Sequence, residues 1–351
     1  MDINLPFYLA PVMVIIARII NLKDQTFIMF FRKGKKKPDV ASISADIALR
    51  TAHIIHLTHN DFDAVGADAV HRVRFRKEGI HTIWSSVGKF PMYLEIISQI
   101  AGNGDTLSIS DLSYRRGVEQ HLRKIKQRGW RIEWRDHHRW NEDEISLIRK
   151  IVDHLHIDTG RCACAICTAD LAPDDVISEE IALVVCDYDL WKHKDPRSGV
   201  LGLVLQREKN REHVRDMLMM GVFDDGVIRG EYQDIMREMQ RVMDRTKRSA
   251  SIISSKYRLI ISPMYGYPSE TAAFLRKEIG SDIEILVSDS GKFSIRSVPP
   301  ISHLIAKEFG GGGHPHAAGG FFRFTTWDKI LLKVLKKNRY FGKVSEIADR
   351  F

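Results

Sequence analysis

Aspartate and histidine recur just after several apolar runs of this sequence. The run that ends at Leu57 is followed by three such residues at alternate positions, and three later runs end in the same way. The residues concerned are His59, Asp61, Asp63, Asp111, Asp136, His137, His138 and Asp187. If these side chains lie close together, their carboxylates repel one another and lose hydration on burial, because no matching set of arginines or lysines accompanies them. Divalent cations remove that conflict, so the pattern predicts a metal centre.

The composition of this set indicates which ions it would hold. Imidazole together with carboxylate suits manganese, iron or zinc better than calcium, and the set is larger than one ion needs. Two ions about 3.5–4 Å apart, bridged by a water that acts as nucleophile, are the arrangement of phosphoryl-transfer hydrolases. We therefore expect two divalent ions, with manganese favoured.

Each cluster alone has an ordinary structural explanation. A single aspartate after a strand, such as Asp111, usually caps the next helix, and paired histidines usually lie on the surface. All four clusters, however, follow apolar runs that we interpret as strands of one sheet. Because ligands gather outside the carboxyl ends of parallel strands, the joint interpretation favours function.

Strands and helices alternate after about residue 40. This alternation predicts an α/β fold with a mainly parallel sheet and helices on both faces. A long polar helix follows near 230–255, and then a smaller α/β domain, with an active cleft between the two domains. The predicted strands of the first sheet are 52–59, 82–87, 105–113 and 130–138, and the run 182–186 is taken as another.

The predicted domain order has five parts. They are an N-terminal extension at 1–40, a catalytic domain at 41–200, a helical connector at 201–255, a substrate-binding domain at 256–330 and a helical tail at 331–351. The extension contains an apolar stretch at 5–20 and a basic cluster at 32–38, so it is either a packed segment or a membrane-contacting anchor.

Charge and cysteine content narrow the class of protein. The 351 residues carry a net charge of +8, which favours an anionic partner. Four cysteines in a chain of this length do not form a disulfide framework, so we expect a cytoplasmic protein. Cys164 and Cys167 have zinc-ligand spacing and would need His154, His156 or Cys186 to complete a site. The alternative is that Cys162, Cys164 and Cys167 are buried thiols at the start of a helix.

Five segments resemble the motifs of the DHH phosphoesterases with their DHH-associated C-terminal domain. They are, in order along residues 50–325, "HNDFDAVG", "SISDLS", "RDHH", "VVCDYDLW" and "GGGGHPHAAGG". The resemblance implies a metal-dependent phosphohydrolase. One departure is the position four residues before the first aspartate, where many members have histidine and this chain has Leu57.

The resemblance also implies roles for individual residues. His59 and Asp61 would bind one metal, and Asp63 and His137 the other. Asp111 and Asp187 would bridge the two ions, with Asp189 as the competing choice in the fourth motif. His138 would contact the scissile phosphate or its leaving group, and Asp136 would orient the histidine pair.

The glycine run predicts a substrate-binding loop. Successive glycines let the backbone approach an anion, and the small residues at 317–319 are expected to begin a helix. In the family this loop binds the nucleotide part of the substrate across the interdomain cleft. The predicted substrate-binding residues are Arg296, Gly311, Gly312, Gly313 and His314.

The expected function is hydrolysis of P–O bonds in small nucleotides by a water that two metals activate. Candidate substrates are short oligoribonucleotides, linear dinucleotides and 3′-phosphoadenosine phosphates. The alternatives are a RecJ-like exonuclease on single-stranded nucleic acid, and a non-catalytic nucleotide-binding or nucleic-acid-binding protein of the same fold. The oligomeric state stays open, with a homodimer as one expectation.

Overall fold

The structure is a computed structural model that describes residues 40–335 and 338–351. The predicted extension at 1–40 lies almost wholly outside the described residues, and so does its proposed membrane contact. None of the helices within the described ranges has the length and apolar character needed to cross a membrane.

A five-stranded parallel sheet forms the first domain. Its spatial order is β2-β1-β3-β4-β5. The strands are β1 (Ile54–Thr58), β2 (Ile80–Trp84), β3 (Thr106–Ser110), β4 (Arg131–Asp136) and β5 (His154–Ile157). The helices are α1 (Val40–Ala48), α2 (Phe62–Arg74), α3 (Phe90–Ile97), α4 (Val118–Gln127), α5 (Glu142–Arg149), α6 (Ala163–Leu171), α7 (Val176–Asp189), α8 (Pro196–Leu205) and α9 (Arg211–Met219). The predicted α/β fold is confirmed.

The two faces of this sheet differ in chemistry because side chains alternate along a strand. One face is apolar and packs on α3 and α4, where Leu57, Leu107 and Trp134 are fully buried. The other face, toward α2 and α6, carries polar side chains. His56, Ser108 and Arg135 hydrogen-bond to those helices, and Thr58, Ser110 and Glu133 hydrogen-bond to other residues of the sheet. Helices therefore cover both faces, as the sequence predicts.

A 23-residue helix, α10 (Gly226–Arg248), connects the first domain to a second. The second domain has a mixed six-stranded sheet in the order β10-β11-β9-β8-β7-β6. Its strands are β6 (Ser251–Ser254), β7 (Arg258–Pro263), β8 (Ile283–Val287), β9 (Lys292–Ser297), β10 (Gly312–His314) and β11 (Ala317–Phe321), and its helices are α11 (Pro268–Ile279), α12 (Ser302–Lys307), α13 (Thr326–Leu335) and α14 (Tyr340–Ala348). Residues of α13 and α14, among them Leu332 and Val344, belong to its core.

The apolar run at 182–186 is helical, so the predicted strand ending at Cys186 is wrong. It belongs to the 14-residue helix α7, which Asp175 caps by accepting a hydrogen bond from the Ser178 amide at 2.8 Å. Ile181, Val184 and Val185 are buried at helical spacing in one core with residues of α2 and α6. A short apolar run does not show whether its apolar residues follow strand or helix spacing, and here the flanking residues continue the helical spacing.

The helix expected after the glycine run is also absent, because residues 317–321 form strand β11. It pairs antiparallel with β10, with Gly313 opposite Ala318. A Cβ at Gly311 would lie 2.0 Å from the Gly319 carbonyl oxygen, and Gly313 has a φ of 143°. The glycines therefore permit close contact between two strands instead of opening a helix.

Candidate metal centre

The carboxyl edge of the parallel sheet gathers most of the predicted site residues. His59 follows β1, and Asp61 caps α2 by accepting a hydrogen bond from the Ala64 amide at 3.2 Å. Asp111 follows β3, and the pair His137 and His138 follows β4. Parallel strands end at one edge, so segments far apart in sequence come together here.

Three groups of three side chains at this edge are each compact enough to hold a metal ion, with the offered atoms of each group within 4.8 Å of one another. Two of them share no residue: His59, Asp61 and Asp111 form the first, and Asp63, His137 and Asp189 the second. The third, Asp111, His137 and His138, takes one residue from each of these two and adds His138. His59 Nδ1 lies 2.7 Å from Asp61 Oδ2 and 3.7 Å from Asp111 Oδ2. His137 Nε2 lies 3.7 Å from Asp63 Oδ2, and His137 Nδ1 lies 3.5 Å from Asp189 Oδ2.

Asp111 connects the two groups. Its Oδ1 lies 3.3 Å from His137 Nε2, so one carboxylate reaches residues of both. The side chain is buried, and the backbone adopts a φ of 54°, a left-handed conformation that costs energy for a residue other than glycine. The chain turns at this residue, directly after β3, which leaves Asp111 at the carboxyl edge of the sheet.

The chemistry of the cluster fits divalent cations. Asp111 Oδ2 and Asp189 Oδ2 are buried and have no hydrogen-bond partner among the described residues. Burial and the charges of Asp61 and Asp63 raise the pKa of Asp111 well above its ordinary value, and burial with the charges of Asp189 and Asp61 does the same for Asp63. These carboxyl groups therefore need a nearby positive charge to be ionised, and a metal ion would supply it.

The N-terminus of α6 fixes Asp63. Its Oδ2 accepts a hydrogen bond from the Ala163 amide and its Oδ1 one from the Cys164 amide, both at 2.7 Å. These amides are among those that a helix leaves without internal partners, and the positive end of the helix dipole favours a carboxylate there. The orientation of α6 therefore determines where the Asp63 carboxylate lies.

Asp187, the predicted fourth-motif ligand, lies outside the cluster, and Asp189 lies within it. The prediction rested on a strand that the structure replaces with α7. The Asp187 carboxylate accepts hydrogen bonds from the Lys194 and Asp195 amides at 2.9 and 3.1 Å and from Ser198 Oγ at 2.6 Å. It thus holds the segment after α7, whereas Asp189, at the end of that helix, faces His137.

His138 and Asp136 form a pair beside the cluster. Asp136 is fully buried, and its two oxygens contact His138 Nδ1 and accept from Trp140 Nε1, each at 2.7 Å. The hydrogen bond to Asp136 raises the pKa of His138. The ring of His138 lies 4.7 Å from that of His137. Because the Asp136 carboxylate contacts His138, it orients the second histidine of the pair, not both.

Two of the four cysteines are joined. The packing of α6 against α7 brings Cys162 and Cys186 into a disulfide, so the expectation that Cys162 is a thiol is wrong. Cys164 and Cys167 are free and buried. Burial raises the pKa of Cys167 to about 12, so it is a neutral thiol. Among the described residues, no potential metal-binding group includes a cysteine.

A cavity of about 610 Å³ lies between the two domains, and its wall includes Tyr188 and Trp191, which flank Asp189 in the sequence. Trp191 and Tyr267, both on its wall, have positive φ values of 58° and 45°, and the Trp191 side chain is largely exposed. Sequence reasoning missed these residues, although "DYDLW" places an aromatic residue on each side of Asp189. The lining side chains are Tyr188, Trp191, Gln206, Arg207, Glu238, Tyr267, Ser269 and Glu270.

The predicted substrate-binding residues lie on neighbouring strands of the second domain. Arg296 Nη2 donates a hydrogen bond to Ser269 Oγ, on the cavity wall, at 2.8 Å. Ala317 is opposite both Arg296 and His314, so these two residues are in register across three strands. His314 is exposed, together with Gly312 and Gly313, on the edge strand β10, which Gly311 precedes.

Comparisons with known proteins agree with this architecture. The chain is 23% identical over 297 residues to the oligoribonuclease NrnB of Bacillus subtilis, which covers 75% of this chain and 71% of the relative. The structure of a pGpG-specific phosphodiesterase, PggH from Vibrio cholerae, matches with a TM-score of 0.52 at 11% identity, over 84% of this chain and 99% of that one. RecJ from Thermus thermophilus, solved with Mn²⁺, matches with a TM-score of 0.50 at 16% identity, over 89% of this chain.

The chain has the fold of the DHH phosphoesterases. The DHH resemblance predicted from five short motifs is thereby confirmed at the level of the fold, and it extends through both domains. No family model matches the chain. The chain spans 54% of the RecJ chain.

Proposed function

We propose that this chain is a metal-dependent phosphodiesterase that hydrolyses short oligoribonucleotides or linear dinucleotides. The observation that carries the proposal is the pair of ligand groups joined by Asp111, with buried carboxylate oxygens that lack donors. The names of two relatives, an oligoribonuclease and a pGpG-specific phosphodiesterase, point to the same class of substrate.

The ligand roles follow the two groups. His59 and Asp61 would hold one ion, Asp63, His137 and Asp189 the other, and Asp111 would be shared. When bound, such ions neutralise phosphate charge and lower the pKa of a water nucleophile. Manganese fits a donor set of four carboxylates and two imidazoles, and Mn²⁺ is the ion named for the RecJ structure.

His138 has the properties of a group that holds a proton near the scissile bond. Its hydrogen bond to the buried Asp136 favours the protonated ring. Trp140 Nε1 donates a hydrogen bond to the other Asp136 oxygen, so the orientation of the Asp136 carboxylate and of His138 is fixed. His138 would thus donate a hydrogen bond to the phosphate or a proton to the leaving oxygen.

The interdomain cavity would receive the nucleoside part of the substrate. Trp191 and Tyr188 offer aromatic surface on which a base can stack, and Arg296, behind Ser269, offers a positive charge. A cavity of about 610 Å³ has room for one or two nucleosides, which fits a short substrate.

Turnover on substrates of different length tests the proposal. With manganese supplied, we expect kcat/KM to be at least tenfold higher on a diribonucleotide than on a long single strand, and Asp111→Asn to abolish both activities. A preference for the long strand would instead support the RecJ-like exonuclease. A wild-type protein that binds nucleotides but hydrolyses none of these substrates would support the non-catalytic alternative.

A further inference from the structure

Two histidines and an aspartate converge at a second place in the first domain, which we name the outer histidine site: His154, His156 and Asp170. His154 Nε2 lies 2.6 Å from Asp170 Oδ2, and His156 Nδ1 lies 2.8 Å from Asp170 Oδ1. The three groups offer ligand atoms within 4.8 Å of one another. None of them takes part in the cluster at the carboxyl edge.

The sheet and one helix create this convergence. His154 and His156 are two residues apart on β5, so their side chains extend from the same face of the strand. β5 is an edge strand, paired only with β4, and Asp170 comes from the last turn of α6, which packs on that face. Sequence reasoning placed these histidines with cysteines, but the third residue of the group is Asp170.

The surroundings suit a metal ion. Arg135 Nε donates a hydrogen bond to Asp170 Oδ2 at 2.9 Å, as residues that orient a metal-binding carboxylate commonly do. Arg135 Nη2 donates a second one to Glu133 at 2.8 Å, which balances the arginine charge. The side chains of His154 and His156 are 39% and 32% exposed, so an ion can reach them. A cavity of about 440 Å³ lined by His154 and Asp170 leaves room for water ligands.

We propose that the outer histidine site binds one transition-metal ion, with Zn²⁺ as its best match. Two imidazoles and one carboxylate are a zinc-type donor set that leaves a fourth position for water. The bound ion would tie the C-terminal end of α6 to the edge strand. Because the N-terminal amides of α6 hold Asp63, about 10 Å away along the helix axis, the ion would also stabilise the position of that carboxylate.

This inference goes beyond the proposed activity and does not depend on it. Zinc binding is measured on the full-length chain after chelator treatment and dialysis, by calorimetric titration with Zn²⁺ and by metal analysis. The double variant Asp111→Asn, His137→Ala serves as background, because each of the metal-binding groups found at the carboxyl edge contains one of these two residues. We expect this variant to bind one zinc equivalent tightly and to unfold at a higher temperature with zinc than without it.

Adding His156→Ala to that background removes one imidazole, and we expect it to abolish both the tight equivalent and the thermal shift. The matched control is His53→Ala, which removes a histidine that contacts a single carboxylate, Asp105, and should change neither readout. If the alanine variant is poorly folded, His154→Gln, which preserves side-chain volume better, takes its place. Equal zinc stoichiometry and thermal shift with and without these substitutions would overturn the proposal.

Discussion

At the scale of single residues, the two aspartates of the fourth motif lie in different surroundings, and only Asp189 belongs to a group that could hold a metal ion. They are two positions apart, yet Asp187 is satisfied by three donors whereas Asp189 presents a buried oxygen without a described donor to the cluster. The helical backbone of α7 causes this, because positions two apart on a helix point in different directions.

Substitution of each aspartate by asparagine tests the assignment. Asp189→Asn should weaken manganese binding by about 100-fold or more, since loss of a ligand exceeds the effect of losing an outer partner. Asp187→Asn should leave manganese affinity unchanged and lower the free energy of unfolding, because one of the two accepting oxygens is replaced by an NH2 group that faces a donor. Calorimetric manganese titration and urea unfolding measure the two effects. Weaker manganese binding in Asp187→Asn, with unchanged binding in Asp189→Asn, would instead identify Asp187 as the ligand.

At the scale of elements, a polar network holds α2 against the sheet next to the metal centre. Asp68 of α2 is fully buried and contacts His56 Nδ1 of β1 at 2.7 Å and Arg72 Nε at 2.9 Å. His56 Nε2 in turn lies 2.8 Å from Ser110 Oγ, directly before Asp111. Although burial acts to raise the pKa of Asp68, the hydrogen bond and charge of His56 and the charge of Arg72 hold it below its ordinary 3.8.

This lowered pKa sets a pH dependence. Because the folded pKa lies below the unfolded one, the stabilisation by ionised Asp68 is complete above the unfolded value of 3.8 and is lost as the pH falls further. We expect Asp68→Asn to cost about 3–5 kcal/mol at neutral pH, and the difference from wild type to shrink below about pH 4.

Urea unfolding of both proteins between pH 7 and pH 3 provides the comparison. The control is Asp234→Asn, which removes an exposed partner of Arg237 and should have little effect at any pH. A difference between wild type and Asp68→Asn that stays constant down to pH 3 would show that folding leaves the pKa of Asp68 at its unfolded value.

The sequence predicts the elements whose patterns are local. Strands β1 to β4 and the acidic and histidine residues that follow β1, β3 and β4 are recognisable, because each strand is a short apolar segment bounded by turns. The helical state of 182–186 depends on packing against α2 and α6, and the hairpin of residues 312–321 depends on strand β9, so neither is visible locally. The outer histidine site needs the contact of α6 with β5, which no spacing reveals.

At the scale of the whole molecule, the second domain contributes Tyr267, Ser269 and Glu270 to the wall of the interdomain cavity. Arg296 is half-buried behind Ser269, and its burial lowers its pKa, which indicates a guanidinium that has lost hydration. A desolvated positive charge near the cavity favours an anionic substrate group, and the net charge of +8 agrees with such a ligand.

Removal of this charge should affect binding more than chemistry. We expect Arg296→Ala to raise KM for a diribonucleotide by about 10–100-fold, the range for losing a charge-assisted hydrogen bond, with a much smaller change in kcat. Lys292→Ala, at an exposed position of the same strand, is the matched control. An unchanged KM in Arg296→Ala, or equal increases in both variants, would remove Arg296 from the substrate site.

Electron paramagnetic resonance of the chain loaded with Mn²⁺ tests most directly whether the cluster shares a pair of cations. Ions about 3.5–4 Å apart couple magnetically, so their spectrum differs from that of isolated Mn²⁺. We predict a coupled two-ion signal in the wild-type protein and its loss in Asp111→Asn, whose side chain joins the two ligand groups. Only isolated Mn²⁺ in the wild type, or a coupled signal that survives in Asp111→Asn, would contradict the account.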